Sequence, residues 1–328
     1  MLRGIFIIII VVLFVYLFLN INIVEFSHIL ESADVFYLFL IGVSDFVAII
    51  MFIIAWHVVI RIITGIKFKH NFIATLLQIF GNIVIPSASL GGEYLRVTYL
   101  KNKTNVDVDK LLASIAINRF QYGITMIAFI LLGIFFLTIN GLFSTYIFLA
   151  LFLIFLFTFF LYFLTFKSKY IKNLTNRIIA YTYRKFNRPR NHIEALNKIN
   201  DFIDKFDYWI KRITKTKLWI IGILFMVLQW IFNSFTIYLA FLAVHASVNF
   251  SIIAFTYPIF VLLTVTPLGI PGNLGFLDLI MIAVYTKLGI DLAYATAATL
   301  IARTFMLLED LFISLPFAIK HRKHYLHY

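Results

Sequence analysis

The sequence predicts an all-α polytopic membrane protein, built as six transmembrane helices plus two re-entrant helical hairpins in an inverted-topology repeat. Three observations carry that expectation. Hydrophobic residues make up 62% of the chain and charged residues 13%, and several apolar runs approach the length of about 20 residues that a helix needs to cross a bilayer core. The formal charge of +13 is gathered in loops and tail, as the cytoplasmic loops of a membrane protein require; this argues against a nucleic-acid partner. Finally, one stretch is written twice.

The first copy runs from Pro86 through Gly91, Gly92 and Glu93 to Asp107 and Arg119, and the second from Pro271 through Gly275 and Asp278 to Asp291 and Arg303. With the arginines in register, Asp107 falls on Asp291 and Ala113 on Ala297 without a gap, and each proline precedes its carboxylate by seven positions. Apolar low complexity produces some such matches by chance. A true repeat would carry architectural meaning.

In chain order, residues 1–34 hold a first span at about 4–24, retained because no small-residue cleavage site follows it, and an acidic outside segment at 25–34. Repeat 1 occupies 35–140: a span at 35–60 ending in basic residues, a hairpin at 71–100 broken at Pro86 to Gly92, and a span at 111–139. One kinked crossing is the alternative to that hairpin, but it would put Lys101, Lys103 and Lys110 outside. Residues 141–217 hold a fourth span at 142–166 and a basic cytoplasmic linker. Within the linker Ile193, Leu196, Ile199, Phe202, Ile203, Phe206 and Trp209 recur at helical spacing, giving a face for the inner leaflet or for the protein itself. Repeat 2 and a basic tail occupy 218–328: a span at 218–244, a hairpin broken at Pro267, Pro271, Gly272 and Gly275, and a span at 292–316. Counting basic loops places both termini in the cytoplasm, at the plasma membrane, with the two repeats oppositely oriented.

The absence of cysteine excludes disulfides, thiolate nucleophiles and cysteine-ligated metals, and no nucleotide or hydrolase fingerprint occurs, so neither cofactor nor metal is expected. In a re-entrant hairpin the second half-helix starts at mid-depth with free amide donors. There Gly91 and Gly92 let a ligand approach, and Arg96, one turn on from Glu93, completes an anion cradle; the alternative is that Glu93 and Arg96 only neutralise one another. Arg119 and Arg303 are intramembrane arginines, which need a partner or a wet cavity, and Glu93 with Arg119 and Asp278 with Arg303 are the natural pairs. Those pairs serve a lipid phosphate, hold the hairpin to the next span, or do both. Asp45, in mid-span, is a proton-coupling or helix-packing carboxylate; Glu309 and Asp310 are placed near the interface. Gln121, Asn118, Gln229 and Asn233 are read as interhelical hydrogen-bonding residues, and His321, His324 and His327 as solvated.

The string I-P-S-A-S-L-G-G-E-Y-L-R followed by A-S-I-A-I-N-R resembles the first signature of the flippase-like, lysylphosphatidylglycerol synthase transmembrane-region family. T-P-L-G-I-P-G-N-L-G-F-L-D followed by A-A-T-L-I-A-R is similar to the second, with Asp278 where the family usually has glutamate. The resemblance implies lipid handling. No segment resembles the soluble aminoacyl-transferase domain of some family members, so aminoacylation by this sequence alone is not expected. The expected function is a non-enzymatic lipid translocator that takes an anionic phospholipid or isoprenoid phosphate at mid-depth, with Gly91, Gly92, Arg96, Arg119 and Arg303 at the phosphate and Glu93, Asp278 and Asp45 in pairing or gating. Two alternatives stay open. One is a membrane-embedded polyprenyl-phosphate transferase using Glu93 or Asp278 as base or metal ligand; the other is a non-catalytic partner of a cytosolic transferase.

Overall fold

The computed structural model describes residues 23–85, 90–139, 156, 159–160, 162, 166–185, 192–263 and 273–325. The first span (4–24, apart from its last two residues), nearly all of the fourth (142–166), and Pro86, Pro267, Pro271 and Gly272 lie outside the described residues.

All regular structure among the described residues is helical. Helix α1 (Ile23–Glu31) covers much of the acidic segment expected outside, and packs against the chain's last long helix. Helix α2 (Val35–Thr64) starts where the Asp34 carboxylate accepts the Phe36 amide at 2.8 Å and stops at Gly65, whose φ of 64° suits a residue without a Cβ. Its 30 residues rise about 45 Å, more than the roughly 30 Å of a hydrocarbon core.

Helices α3 (Phe68–Val84) and α4 (Leu90–Thr104) fold back on each other. Gly81 and Gly92 make the approach close: a Cβ at Gly81 would stand 2.7 Å from the Gly92 Cα, and one at Gly92 only 2.3 Å from the Gln78 carbonyl oxygen. Helix α5 (Val108–Ile139) follows; α6 (Ser168–Lys185) and α7 (His192–Lys215) then lie together, joined at Lys172 and Asp204 (2.7 Å), with α7 packed on α5. The amphipathic face of α7 settles against protein at its C-terminal end, where Ile210 and Ile213 are buried with Val59, Ala113 and Ile117.

Helix α8 (Leu218–Ala243) lies antiparallel along α2: the Asp34 amide donates to the Ala243 carbonyl at 2.8 Å, the Ser44 hydroxyl to the Phe232 carbonyl at 2.8 Å, and Gly222 sits against Ala55. A second helix pair, α9 (Phe250–Leu263) and α10 (Phe276–Lys287), precedes α11 (Leu292–His321), which Asp291 caps by accepting the Ala293 amide at 2.8 Å. A short 3-10 turn, Arg322–His324, closes the described chain.

The first arm of each pair packs on the long helix that follows the other pair. Phe72 of α3 meets Phe317 of α11 at 5.9 Å between ring centroids, while Phe255 of α9 lies so close to Gly133 of α5 that a Cβ there would come within 2.5 Å. The largest apolar cluster joins α2, α5, α8, α9, α10 and α11 around Trp230 and Phe241. Among the described residues three helices are long and apolar enough to cross a membrane: Val35–Thr64, Val108–Phe135 and Leu218–Ala243. Helix α11 has the length but carries Arg303, Glu309 and Asp310 along it.

Candidate functional site

Glu93 stands in the first turn of α4, where the helix dipole and unpaired amides favour a carboxylate. Three side chains hold it. Arg119 of α5 donates from Nε at 2.9 Å and Nη2 at 2.5 Å to Oε1, Gln78 of α3 donates to the same oxygen at 3.3 Å, and Arg96 forms an ion pair with Oε2. The two arginines differ in setting. Arg96 is fully buried, its guanidinium 4.1 Å from the Trp56 ring centroid and its Nη1 donating to Gln78 Oε1 at 2.8 Å, whereas the Arg119 side chain is 34% exposed. Charge counting gives one carboxylate and two guanidiniums, so the group carries a surplus of one positive charge whose accessible end is Arg119.

Gly91 and Gly92 are buried beside it. Gly92 is explained by the contact with α3, because Gln78 and Asn82 occupy the space that a side chain would need.

The second pair is simpler. Asp278 uses Oδ2 to accept the Gly275 amide at 2.8 Å, capping α10, and Oδ1 to accept from Arg303 Nε at 2.9 Å. Gly275 supplies the required turn with a φ of 78°. In the register that aligns Glu93 with Asp278, Arg96 aligns with Met281, so this pair has no second guanidinium from that position. Arg303 is also less open than Arg119, with 14% of its side chain exposed.

Between the pairs lies an aromatic layer: Trp230 of α8 packs on Tyr122 of α5 at 4.8 Å and on Tyr257 of α9 at 5.7 Å. Tyr122 lies near Arg119 and Gln229, and Tyr257 near Arg303, Asp45 and Asp310. Asp45 is buried on α2, near Glu309 and Asp310 of α11; the Glu309 carboxylate lies 3.6 Å from where Gly42 would carry a Cβ. Gln121 donates to the Trp219 carbonyl at 2.6 Å, bridging α5 to α8, and Asn118 and Asn233 are buried. His321 and His324 pack against Tyr99 at 5.4 and 6.0 Å, and His327 lies outside the described residues. Among the described residues no three His, Asp or Glu side chains converge to hold a metal ion.

Sequence reasoning missed Gln78, Trp56, Tyr122 and Tyr257. Gln78 had a signal, being a long amide in an otherwise apolar arm; a tryptophan or tyrosine in a 62% hydrophobic chain has none.

The model of the lysylphosphatidylglycerol synthase TM region matches residues 2–313, taking in both carboxylate–arginine pairs. The chain belongs to that family. As a member of the lysylphosphatidylglycerol synthase TM-region family it is a polytopic α-helical membrane protein. Among its relatives are two UPF0104 membrane proteins of Methanothermobacter thermautotrophicus. One is 26% identical over 289 residues (85% of this chain, 83% of the relative), the other 24% identical over 310 (90% and 86%). A UPF0104 membrane protein of Methanocaldococcus jannaschii is 23% identical over 256 residues, covering 76% of this chain and 74% of its own. No solved structure matches the chain significantly.

Proposed function

We propose that this protein is a lipid translocator of the plasma membrane that receives an anionic, phosphate-bearing lipid headgroup at mid-depth. Its architecture in this reading is six spans with two re-entrant hairpins, α3–α4 and α9–α10, in repeats of opposite orientation. The single observation that carries it is the uncompensated guanidinium at Glu93: an arginine that shares its carboxylate with a buried competitor has charge left over for a phosphate. Support for opposed repeats comes from the antiparallel α2–α8 contact and from the reciprocal packing of each first arm on the other half's long helix. Within this site Arg119 and Arg303 contact the phosphate, Gly91 lies beside them, and Arg96 acts from behind by holding Glu93 in place. Glu93 and Asp278 retain the arginines when no headgroup is bound.

Reconstitution into vesicles containing a fluorescent phosphatidylglycerol tests the reading. Arg119→Ala should lower translocation about tenfold, the loss expected for one charge-assisted hydrogen bond. Unchanged rates in both Arg119→Ala and Arg303→Ala would remove the proposed site.

A further inference from the structure

Three basic segments far apart in the sequence come together at one end of the molecule: Lys67 to His70 at the start of α3, Lys101 to Lys103 at the end of α4, and Lys320 to His324 at the end of α11 and in the turn after it. Packing brings them there. Phe72 lies on Phe317 at 5.9 Å, the Tyr99 ring meets those of His321 and His324 at 5.4 and 6.0 Å, and the Asn102 side-chain amide donates to the His324 carbonyl at 2.8 Å. The charged groups near His70 are Lys67, Lys69 and Lys103, and those near His321 are Lys69, Lys103, Lys320 and His324; no carboxylate is among them. Elsewhere on the described surface Lys110, Lys172, Lys205 and Lys211 each have an aspartate within 3.0 Å. Lys69, Lys103 and Lys320 are exposed and have no such partner among the described residues. The C-terminal ends of α4 and α11 contribute about half a negative charge apiece, which offsets one lysine and leaves the cluster strongly positive.

We propose that this cluster, with Lys69, Lys103 and Lys320 around His70, His321 and His324, binds a phosphomonoester or diphosphate group, either the polar end of a lipid or a free phosphate compound. Orienting a chain in a bilayer requires basic residues at one end, but neither their convergence nor the exclusion of carboxylates from among them. Gathering like charges costs free energy that a bound anion offsets. A compact group with two or more negative charges fits a spot where cations from three elements meet, whereas the single charge of a phosphodiester leaves most of them unanswered. Lysine ammonium groups then donate charge-assisted hydrogen bonds to its oxygens. His70 and His321, held below the ordinary value of 6.5 by burial and the nearby lysines, gain a negative neighbour that favours their protonated, donating form. The inference is independent of the proposed mid-depth site: Lys103 stands ten residues beyond Glu93 on α4, about 15 Å along the helix, and no residue is shared.

Calorimetric titration of the full-length protein in phosphatidylcholine nanodiscs with inorganic pyrophosphate tests this. Lys69→Gln/Lys103→Gln/Lys320→Gln removes three exposed ammonium groups and should weaken pyrophosphate binding about tenfold or more without lowering the melting temperature, with each single substitution giving a smaller loss in the same direction. Lys172→Gln/Lys205→Gln/Lys211→Gln changes the net charge equally but touches only paired lysines, and should leave the affinity as it was; so should Arg119→Ala. The source of the phosphate is read by comparing nanodiscs doped with phosphatidic acid and with an equal content of phosphatidylglycerol. Weaker pyrophosphate binding in the former identifies a lipid phosphomonoester as the occupant, and equal binding identifies a soluble phosphate compound. Absence of pyrophosphate binding, an equal loss in the two triple variants, or a loss confined to Arg119→Ala overturns the proposal.

Discussion

The guanidinium of Arg96 lies 4.1 Å from the centre of the Trp56 ring, and neither side chain is exposed. The stacking supplies a partner for one face of the cation where no water reaches it, while Gln78 and Glu93 take its edge. In the proposed reading Arg96 is a positioning residue, and its removal should be felt in stability first. Arg96→Met should cost somewhat less than the about 3–5 kcal/mol typical of a broken buried pair, because Arg119 still neutralises Glu93. Arg119→Met should lower translocation with a much smaller effect on melting temperature. Thermal melts in detergent beside transport assays distinguish the two, and the reverse pattern would mean that Arg96 faces the ligand.

The helix pair α3–α4 depends on missing side chains. Gly92→Ala would drive a methyl group to within 2.3 Å of the Gln78 carbonyl, so the arms must separate, at about 1–3 kcal/mol for overpacking. Gly42→Ala is the control: its Cβ meets only Glu309, at 3.6 Å, and should be neutral or stabilise by up to about 1 kcal/mol through helix propensity. Melting temperatures of the two variants check this.

The two carboxylates differ by one methylene for a local reason. Both reach an arginine on the following long helix, but Asp278 also caps α10, whereas Glu93 also holds Arg96 of its own helix. Asp278→Glu should lose about 1 kcal/mol of capping while keeping the ion pair. Glu93→Asp withdraws the carboxylate from Arg119, and should reduce transport more than Asp278→Glu does. Equal transport losses would remove the distinction.

The tail end of α11 should respond to pH. His321 and His70 titrate below the ordinary histidine value because burial and nearby lysines, Lys103 and Lys69 among them, disfavour a further positive charge. A histidine depressed in the folded state binds more protons when released, so its contribution weakens as pH falls through the ordinary value of 6.5 toward the lowered one. The contacts anchoring the tail, Asn102 to the His324 carbonyl at 2.8 Å and Tyr325 to the Ala318 carbonyl at 2.6 Å, should loosen between about pH 7 and 5. Hydrogen exchange of residues 318–325 reports it, and pH-independent protection would refute the coupling.

The all-helical membrane class was legible because lipid and backbone leave few choices: long apolar runs must be helices. The pairing partners of Glu93 and Asp278 followed from spacing and from the cost of unpaired charge in an apolar setting. Depth did not follow. Arg96 shares a helical face with Glu93, and its side chain also stacks on Trp56, a residue 40 positions away that no periodicity links to it. The periodicity of α7 shows that one face is covered without naming the cover, and Ile210 and Ile213 are covered by α2 and α5.

Phe255 resting on the bare backbone of Gly133, and Phe72 on Phe317, mean that each half of the molecule grips a limb of the other. Neither half completes its own interior. Severed between α7 and α8, the polypeptide should yield fragments that persist only when made together, so the linkage of the halves into one chain serves assembly rather than convenience.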